Sequence, residues 1–125
     1  MITLAEVIEI QKILIEKYGG LHGIRDLGLL ESAIARPFQE FEGKMLYPTI
    51  FDQAAALLES LVKNHPFLDG NKRIGYTIMR LYLKMNLHDI SATENEKFDF
   101  VIKISEGMYS FDQIRTWIID KKCMG

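Results

Sequence analysis

Apolar residues recur at three- and four-residue spacing along most of the chain, and each such run is bounded by a residue that starts or stops a helix. Leu4, Val7, Ile8, Ile10, Gln11, Leu14, Ile15 and Tyr18 share one face of a predicted first helix. Thr3 and Glu6 form a capping box ahead of it, and Gly19-Gly20 end it. Asp26 caps a second helix carrying Leu27, Leu30 and Ile34, which Pro37 stops because its ring cannot continue the hydrogen-bond ladder. Thr49 opens a third, with Ala54, Leu57, Leu58, Leu61 and Val62 inward, ended by Pro66. A fourth begins at Gly70 or Asn71 and runs to about Asn86, with Ile74, Thr77, Ile78, Leu81, Tyr82 and Met85 on its buried face. Thr93 with Glu96 and Ser110 with Gln113 are two further capping boxes. The first leads into Phe98, Val101, Ile102 and Ser105, the second into Ile114, Trp117 and Ile118.

Alternation of the strand type is confined to residues 44–47 and 88–90, too short to define a sheet. The expected class is therefore all-α, a compact bundle of about six helices. No repeat or Pro/Ser-rich linker divides the chain, so residues 1–125 are expected to form one domain.

With 48% hydrophobic residues, the chain is too apolar for a disordered segment. Its apolar runs are shorter than a bilayer span and the N-terminus lacks a secretory pattern, so no membrane association is expected. The one cysteine, Cys123, can form neither an internal disulfide nor a cysteine-rich zinc site, and reads as a reduced bystander in a frayed tail. A cytoplasmic setting is the expectation. A net charge of −2 argues against direct nucleic-acid binding. Residues 63–84 nevertheless hold five cations, Lys63, Lys72, Arg73, Arg80 and Lys84, against the single acid Asp69. That local excess points to an anionic ligand.

The connection between the third and fourth helices reads His65-Pro66-Phe67-Leu68-Asp69-Gly70-Asn71-Lys72-Arg73. Pro66 biases His65 away from the helical region and holds it at the mouth of the loop. Phe67 is the one large apolar anchor, and Gly70 permits close approach of backbone to a ligand. Asn71, Lys72 and Arg73 fall in the first turn of the next helix, where unpaired N–H groups and the macrodipole favour an anion. Arg73 adds a planar fork for phosphate oxygens, and Lys72 a mobile charge. Asp69 can ligate Mg²⁺, and His65 can accept a proton from an attacking hydroxyl. Each residue taken singly has an ordinary structural reading. Two cations where a helix dipole repels them call for an anion, which the ordinary readings do not supply.

These nine residues resemble the signature of the Fic/Doc family: a histidine, a phenylalanine two positions on, then acid-Gly-Asn-Gly/Lys-Arg. Upstream, Tyr18-Gly19-Gly20, the stretch from Gly23-Ile24-Arg25-Asp26-Leu27-Gly28 to Ala35-Arg36-Pro37, and Tyr47-Pro48-Thr49 resemble its doc-type (death-on-curing) branch. The resemblance covers roughly residues 18–89. It implies a core of about six helices with the active loop between two central ones.

Fic enzymes with Gly after the Asn transfer AMP to a protein hydroxyl and carry a second Arg three residues beyond the first. Here Lys72 replaces that Gly and Tyr76 stands in the place of that Arg. The doc branch shares such departures, which implies a kinase transferring the γ-phosphate of Mg·ATP to a Ser/Thr hydroxyl. By this resemblance His65 is the base, Asp69 the Mg²⁺ ligand, Gly70, Asn71 and Lys72 the anion cradle, and Arg73 a phosphate ligand.

The resemblance also implies a toxin acting on translation elongation factor Tu, paired with an antitoxin whose helix fills a groove by the active site. Internal inhibition in the family uses a Ser/Thr-x-x-x-Glu-Gly helix. Before Glu106-Gly107 the required hydroxyl position is Ile102, so an external antitoxin is expected. Residues 40–47 are where relatives carry a flap for the target peptide; Met45, Leu46 and Tyr47 there suit core or an edge strand equally. AMP transfer and a catalytically inactive interaction module are the alternative functions.

Overall fold

The protein, described over residues 2–125 in a computed structural model, is built from six α-helices with two small strand pairs. In order these are α1 (Leu4–Tyr18), α2 (Leu27–Ala35), a 3₁₀ turn (Arg36–Phe38), β1 (Glu40–Phe41), β2 (Lys44–Met45), α3 (Ile50–Lys63), α4 (Asn71–Met85), β3 (His88–Ile90), α5 (Glu94–Ser105), α6 (Phe111–Lys121) and β4 (Lys122–Met124).

Helix starts follow from local side-chain chemistry. The Thr3/Glu6, Thr93/Glu96 and Ser110/Gln113 boxes all form, each satisfying two backbone donors at once. Thr49 makes a fourth box with Asp52, and Arg115 of α6 reaches the same carboxylate at 3.1 Å. Asp26 caps α2 by accepting from Leu29 N–H. Pro37 ends α2 by opening the 3₁₀ turn.

Helix α3 is the axis of the core. Ala54, Ala55, Ala56, Leu57, Leu58, Leu61 and Val62 are all buried, and α2, α4, α5 and α6 pack around it. The small residues let neighbours approach closely. Gly75 of α4 does so most: a Cβ there would lie 2.9 Å from Val62 Cγ2. Because α4 lies against both α3 and the outer helices, its buried face widens to take in Tyr76, Met79 and Leu83 beside Ile74, Ile78 and Tyr82.

Several positions expected inside are outside. Met85, Phe98, Leu27 and Tyr18 are 48%, 60%, 48% and 53% exposed. In α5, Phe100, Val101 and Ile104 take the core, and Phe100 stacks on Trp117 at 3.7 Å between ring centres. That leaves Phe98 on the opposite face. The C-terminal tail is not frayed: β4 pairs antiparallel with β3, setting Cys123 opposite Asp89, and the thiol is exposed. Residues 40–45 form an exposed hairpin whose turn, Glu42-Gly43, has φ of +51° and +78°. Two consecutive left-handed residues match the twist of a two-residue hairpin loop.

Candidate active site

Helix α3 reaches its last turn at Lys63, and Asn64 is its C-cap with φ −80° and ψ −13°. His65 then turns left-handed, with φ +48°. It leaves the right-handed helical region, as a residue before proline must, but by way of the left-handed region and not an extended one. Pro66 and Phe67 drop into the interior, Phe67 to 1% exposure, while His65 itself stays exposed.

The loop is fastened from both sides. Asn71 accepts from Phe67 N–H through Oδ1 (3.0 Å) and donates Nδ2–H to Phe67 O (3.1 Å), closing a ring on one residue. The strand-like segment after α1 clasps the other side. Leu68 N–H donates to Gly23 O at 3.1 Å, and the amides of Arg25 and Asp26 both donate to Pro66 O at 2.8 and 3.0 Å. Ile24 pairs with Phe67 as an isolated bridge. The Arg25 guanidinium spans two carbonyls, donating from Nε to His65 O (2.6 Å) and from Nη2 to Asn64 O (2.7 Å).

Asp69 is exposed. Its Oδ1 accepts from Gly70 N–H (2.9 Å) and its Oδ2 from Leu21 N–H (3.3 Å). That second contact requires Gly20, where a Cβ would stand 2.7 Å from Oδ2. Two donated hydrogen bonds leave further lone pairs on the carboxylate. Mg²⁺ asks for one or two carboxylates plus phosphate oxygens and water, so Asp69 fits such an ion when the nucleotide supplies the rest.

Gly70, at φ +78° and ψ 15°, is the N-cap residue of α4 and offers no side chain to its free donors. The amides of Asn71, Lys72 and Arg73 have no acceptor among the described residues, and the first turn holds no acid. Of the five cations in residues 63–84, three are neutralised. Lys63 pairs with Glu59 at 3.3 Å, Arg80 takes Asp89 bidentately at 2.8 and 2.9 Å, and Lys84 lies 3.7 Å from the same carboxylate. Those Arg80 hydrogen bonds hold Asp89 well below the usual carboxylate range, at about 2. Lys72 and Arg73 are exposed and have no acidic partner among the described residues. Arg73 instead lies over the Tyr18 ring, 4.2 Å from its centre.

A cavity of about 660 Å³ opens between α1, α4 and α5. Asp69, Gly70, Asn71, Lys72 and Arg73 form one end; the rest of the lining includes Leu14, Tyr76, Leu81, Glu94, Phe98 and Ile102. The structure thus gathers five of the six expected site residues on one cavity, while His65 stands on the loop outside its walls. Tyr76 is 7% exposed, and burial pushes its hydroxyl up to about 12. Asn71 is committed through its side chain to Phe67, so only its backbone amide is free toward an anion.

Sequence reasoning misses Arg25, the Gly20-Leu21 backbone and the stacking role of Tyr18. Tyr18, Gly20 and Arg25 fall in stretches that carry the family resemblance, but each acts on a residue about 40 or more positions away, and no local pattern shows that contact.

A sequence profile described as the Fic/DOC family matches residues 1–83, well over half of the chain. Among curated proteins, one named Toxin Doc from Mycolicibacterium smegmatis is 45% identical over 75 residues, covering 60% of this chain and 58% of the relative. One named Protein kinase doc from Escherichia phage P1 is 32% identical over 84 residues, covering 65% of this chain and 64% of the relative. The matched regions span less than two thirds of either relative's length.

Proposed function

The chain belongs to the Fic/DOC family, on its doc-type side, and from that premise we propose that it is a toxin that phosphorylates a protein Ser/Thr hydroxyl with Mg·ATP. The observation that carries the reading is the start of α4. It is an α-helix without a side-chain cap, opened by a left-handed glycine, with two acid-free cations in its first turn. Such an end is electrostatically unfavourable until an anion arrives, and a polyphosphate is the anion that suits three adjacent amides, a guanidinium and an ammonium.

In this reading His65 accepts the proton of the target hydroxyl as its oxygen bonds to the γ-phosphorus. The bond to the β–γ bridging oxygen breaks, and ADP leaves. The free amides of Asn71, Lys72 and Arg73 supply the backbone cradle, which Gly70, its own N–H held by Asp69, leaves open by having no side chain; Lys72 and Arg73 add side-chain charge, and Asp69 is the Mg²⁺ ligand. When bound, the ion would neutralise phosphate charge and help orient the nucleotide. Tyr76 bears on phosphate against AMP transfer. It is buried where AMP-transferring relatives carry a second arginine, so the cavity lacks that clamp.

The target we favour is translation elongation factor Tu, met by the exposed hairpin at residues 40–45. The partner we favour is an antitoxin helix laid in the cavity between α1, α4 and α5. Its apolar face would cover Leu14, Leu81 and the 60% exposed Phe98, and its acids would meet Lys72, Arg73 and Lys97. Ile102 faces that cavity, in keeping with inhibition from outside the chain.

Incubation with a translation lysate and ATP labelled at the α or the γ phosphorus tests the reaction. Label retained on a protein from γ alone is expected; label retained from α alone would establish AMP transfer instead. No transfer from either position, with growth arrest surviving His65→Ala, would identify an interaction module.

A further inference from the structure

His65 carries a left-handed backbone, φ +48°, although it is neither glycine nor asparagine and precedes a proline. An L-residue held there is strained, and such strain persists only where the surroundings over-determine it. The surroundings that do so are visible. At the helix exit the carbonyls of Asn64 and His65 both lie on the Arg25 guanidinium, at 2.7 and 2.6 Å. The next carbonyl, of Pro66, is taken by the amides of Arg25 and Asp26. Three consecutive carbonyls of the loop therefore end on residues 25 and 26.

The two sides of Arg25 do different work. Its backbone amide belongs to the clasp that runs from Leu21 with Asp69 through Gly23 with Leu68 to Pro66, and any L-residue could supply it. Its side chain alone reaches past the proline to the strained residue. A planar fork can bind two carbonyls in fixed geometry; an ammonium binds them one at a time, and an amide has one short donor arm.

We propose that Arg25 is the positioning residue for His65: its guanidinium holds the carbonyls of Asn64 and His65, keeps the backbone of His65 left-handed, and so sets where the imidazole meets the hydroxyl. This inference rests on His65 being the base proposed above. Arg25 needs no contact with nucleotide or target, and it acts on turnover and not on nucleotide binding. Displacing a reacting group by about 1 Å costs on the order of 10²-fold in rate.

The test is a double-mutant cycle on the full chain, read as label transferred from ATP, with ATP affinity measured separately by calorimetry. Arg25→Ala is expected to lower kcat by about 10²-fold with ATP affinity unchanged. In the His65→Ala background it should lower the residual rate no further. Arg25→Lys keeps the charge but not the fork, and should recover only part of the loss. The Cα and Cβ chemical shifts of His65 in labelled protein report the left-handed backbone without any turnover, and Arg25→Ala should move them toward values for ordinary backbone.

An equal loss in both backgrounds would overturn the proposal, as would a loss confined to ATP binding or an unmoved His65 spectrum. If the parent chain transfers α label, the kinase reading fails while the cycle is read on that product. If it transfers neither, the His65 spectrum alone decides on Arg25.

Discussion

Helices α3 and α4 are neighbours in the core, yet their first turns are built to opposite rules. Helix α3 opens with Thr49, whose side chain and Asp52 satisfy each other's backbone donors, and Arg115 neutralises the carboxylate. Helix α4 opens with Gly70, leaves its first amides without an acceptor among the described residues, and adds Lys72 and Arg73 where the dipole repels cations. The first end is capped and charge-balanced by side chains of the chain itself. On the reading proposed above, the second is completed by an anion from outside. On that reading the contrast separates a residue that serves the fold from one that serves a ligand, and mutations at the two ends should therefore differ in sign as well as size.

The largest expected effect lies just before α4. His65→Ala should lower phosphoryl transfer by about 10²–10⁴-fold, measured as γ-label incorporated, while the far-ultraviolet spectrum and ATP affinity stay as in the parent. A loss of ATP binding of similar size would place His65 in the cradle and not at the hydroxyl.

Next in size is Gly70→Ala. A Cβ at this position meets only ordinary contacts, the nearest 3.5 Å away at Ile74 Cδ1, so space is not the obstacle. The backbone is. Holding alanine left-handed should cost about 1–2 kcal/mol in urea unfolding. Thr49→Ala removes a cap at the corresponding position of α3 and should cost about 1 kcal/mol, with ATP affinity unchanged.

The smallest effect is the sharpest for the comparison. Lys72→Glu places an acid beside the unsatisfied dipole, and should raise the stability of the ligand-free protein by about 0.3–1 kcal/mol. The same change should weaken ATP binding, measured by calorimetry. A variant that is both more stable and poorer at binding would show that the cations of α4 are there for the ligand. Should Lys72→Glu destabilise the free protein, the site is not strained in the way described.

Much of the fold and of the site is legible in the residues alone. The caps at Thr3, Thr93 and Ser110 lie three residues from their partners, and Asp26 lies three from the amide it caps, so spacing reveals them. The loop composition likewise singles out a candidate base, a candidate metal ligand and a candidate anion cradle. The face of α4 is harder to read: Met85 is exposed while Met79 and Leu83 are buried, because a helix packed on several sides has no single stripe for periodicity to detect. Phe98 is large and apolar and so suggests core, but Phe100 stacks on Trp117 and claims that side. The five-cation stretch is real in sequence yet overstated in space, since Asp89 and Glu59 neutralise three of its members.

By itself, then, the sequence determined the all-helical class, where most helices begin, and which residues crowd the turn between α3 and α4. Those features depend on hydrogen bonds and side-chain periods within a few residues of chain. Only the tertiary structure decided which cations stay free of acids, that the C-terminal tail pairs with β3, and that Arg25 grips the carbonyl of His65 from 40 residues away. These depend on how distant segments meet, and the packing of α3 against its neighbours sets that meeting. The candidate base is named by its own neighbours in sequence, and its proposed positioning residue, Arg25, reaches it through a contact that no local pattern shows.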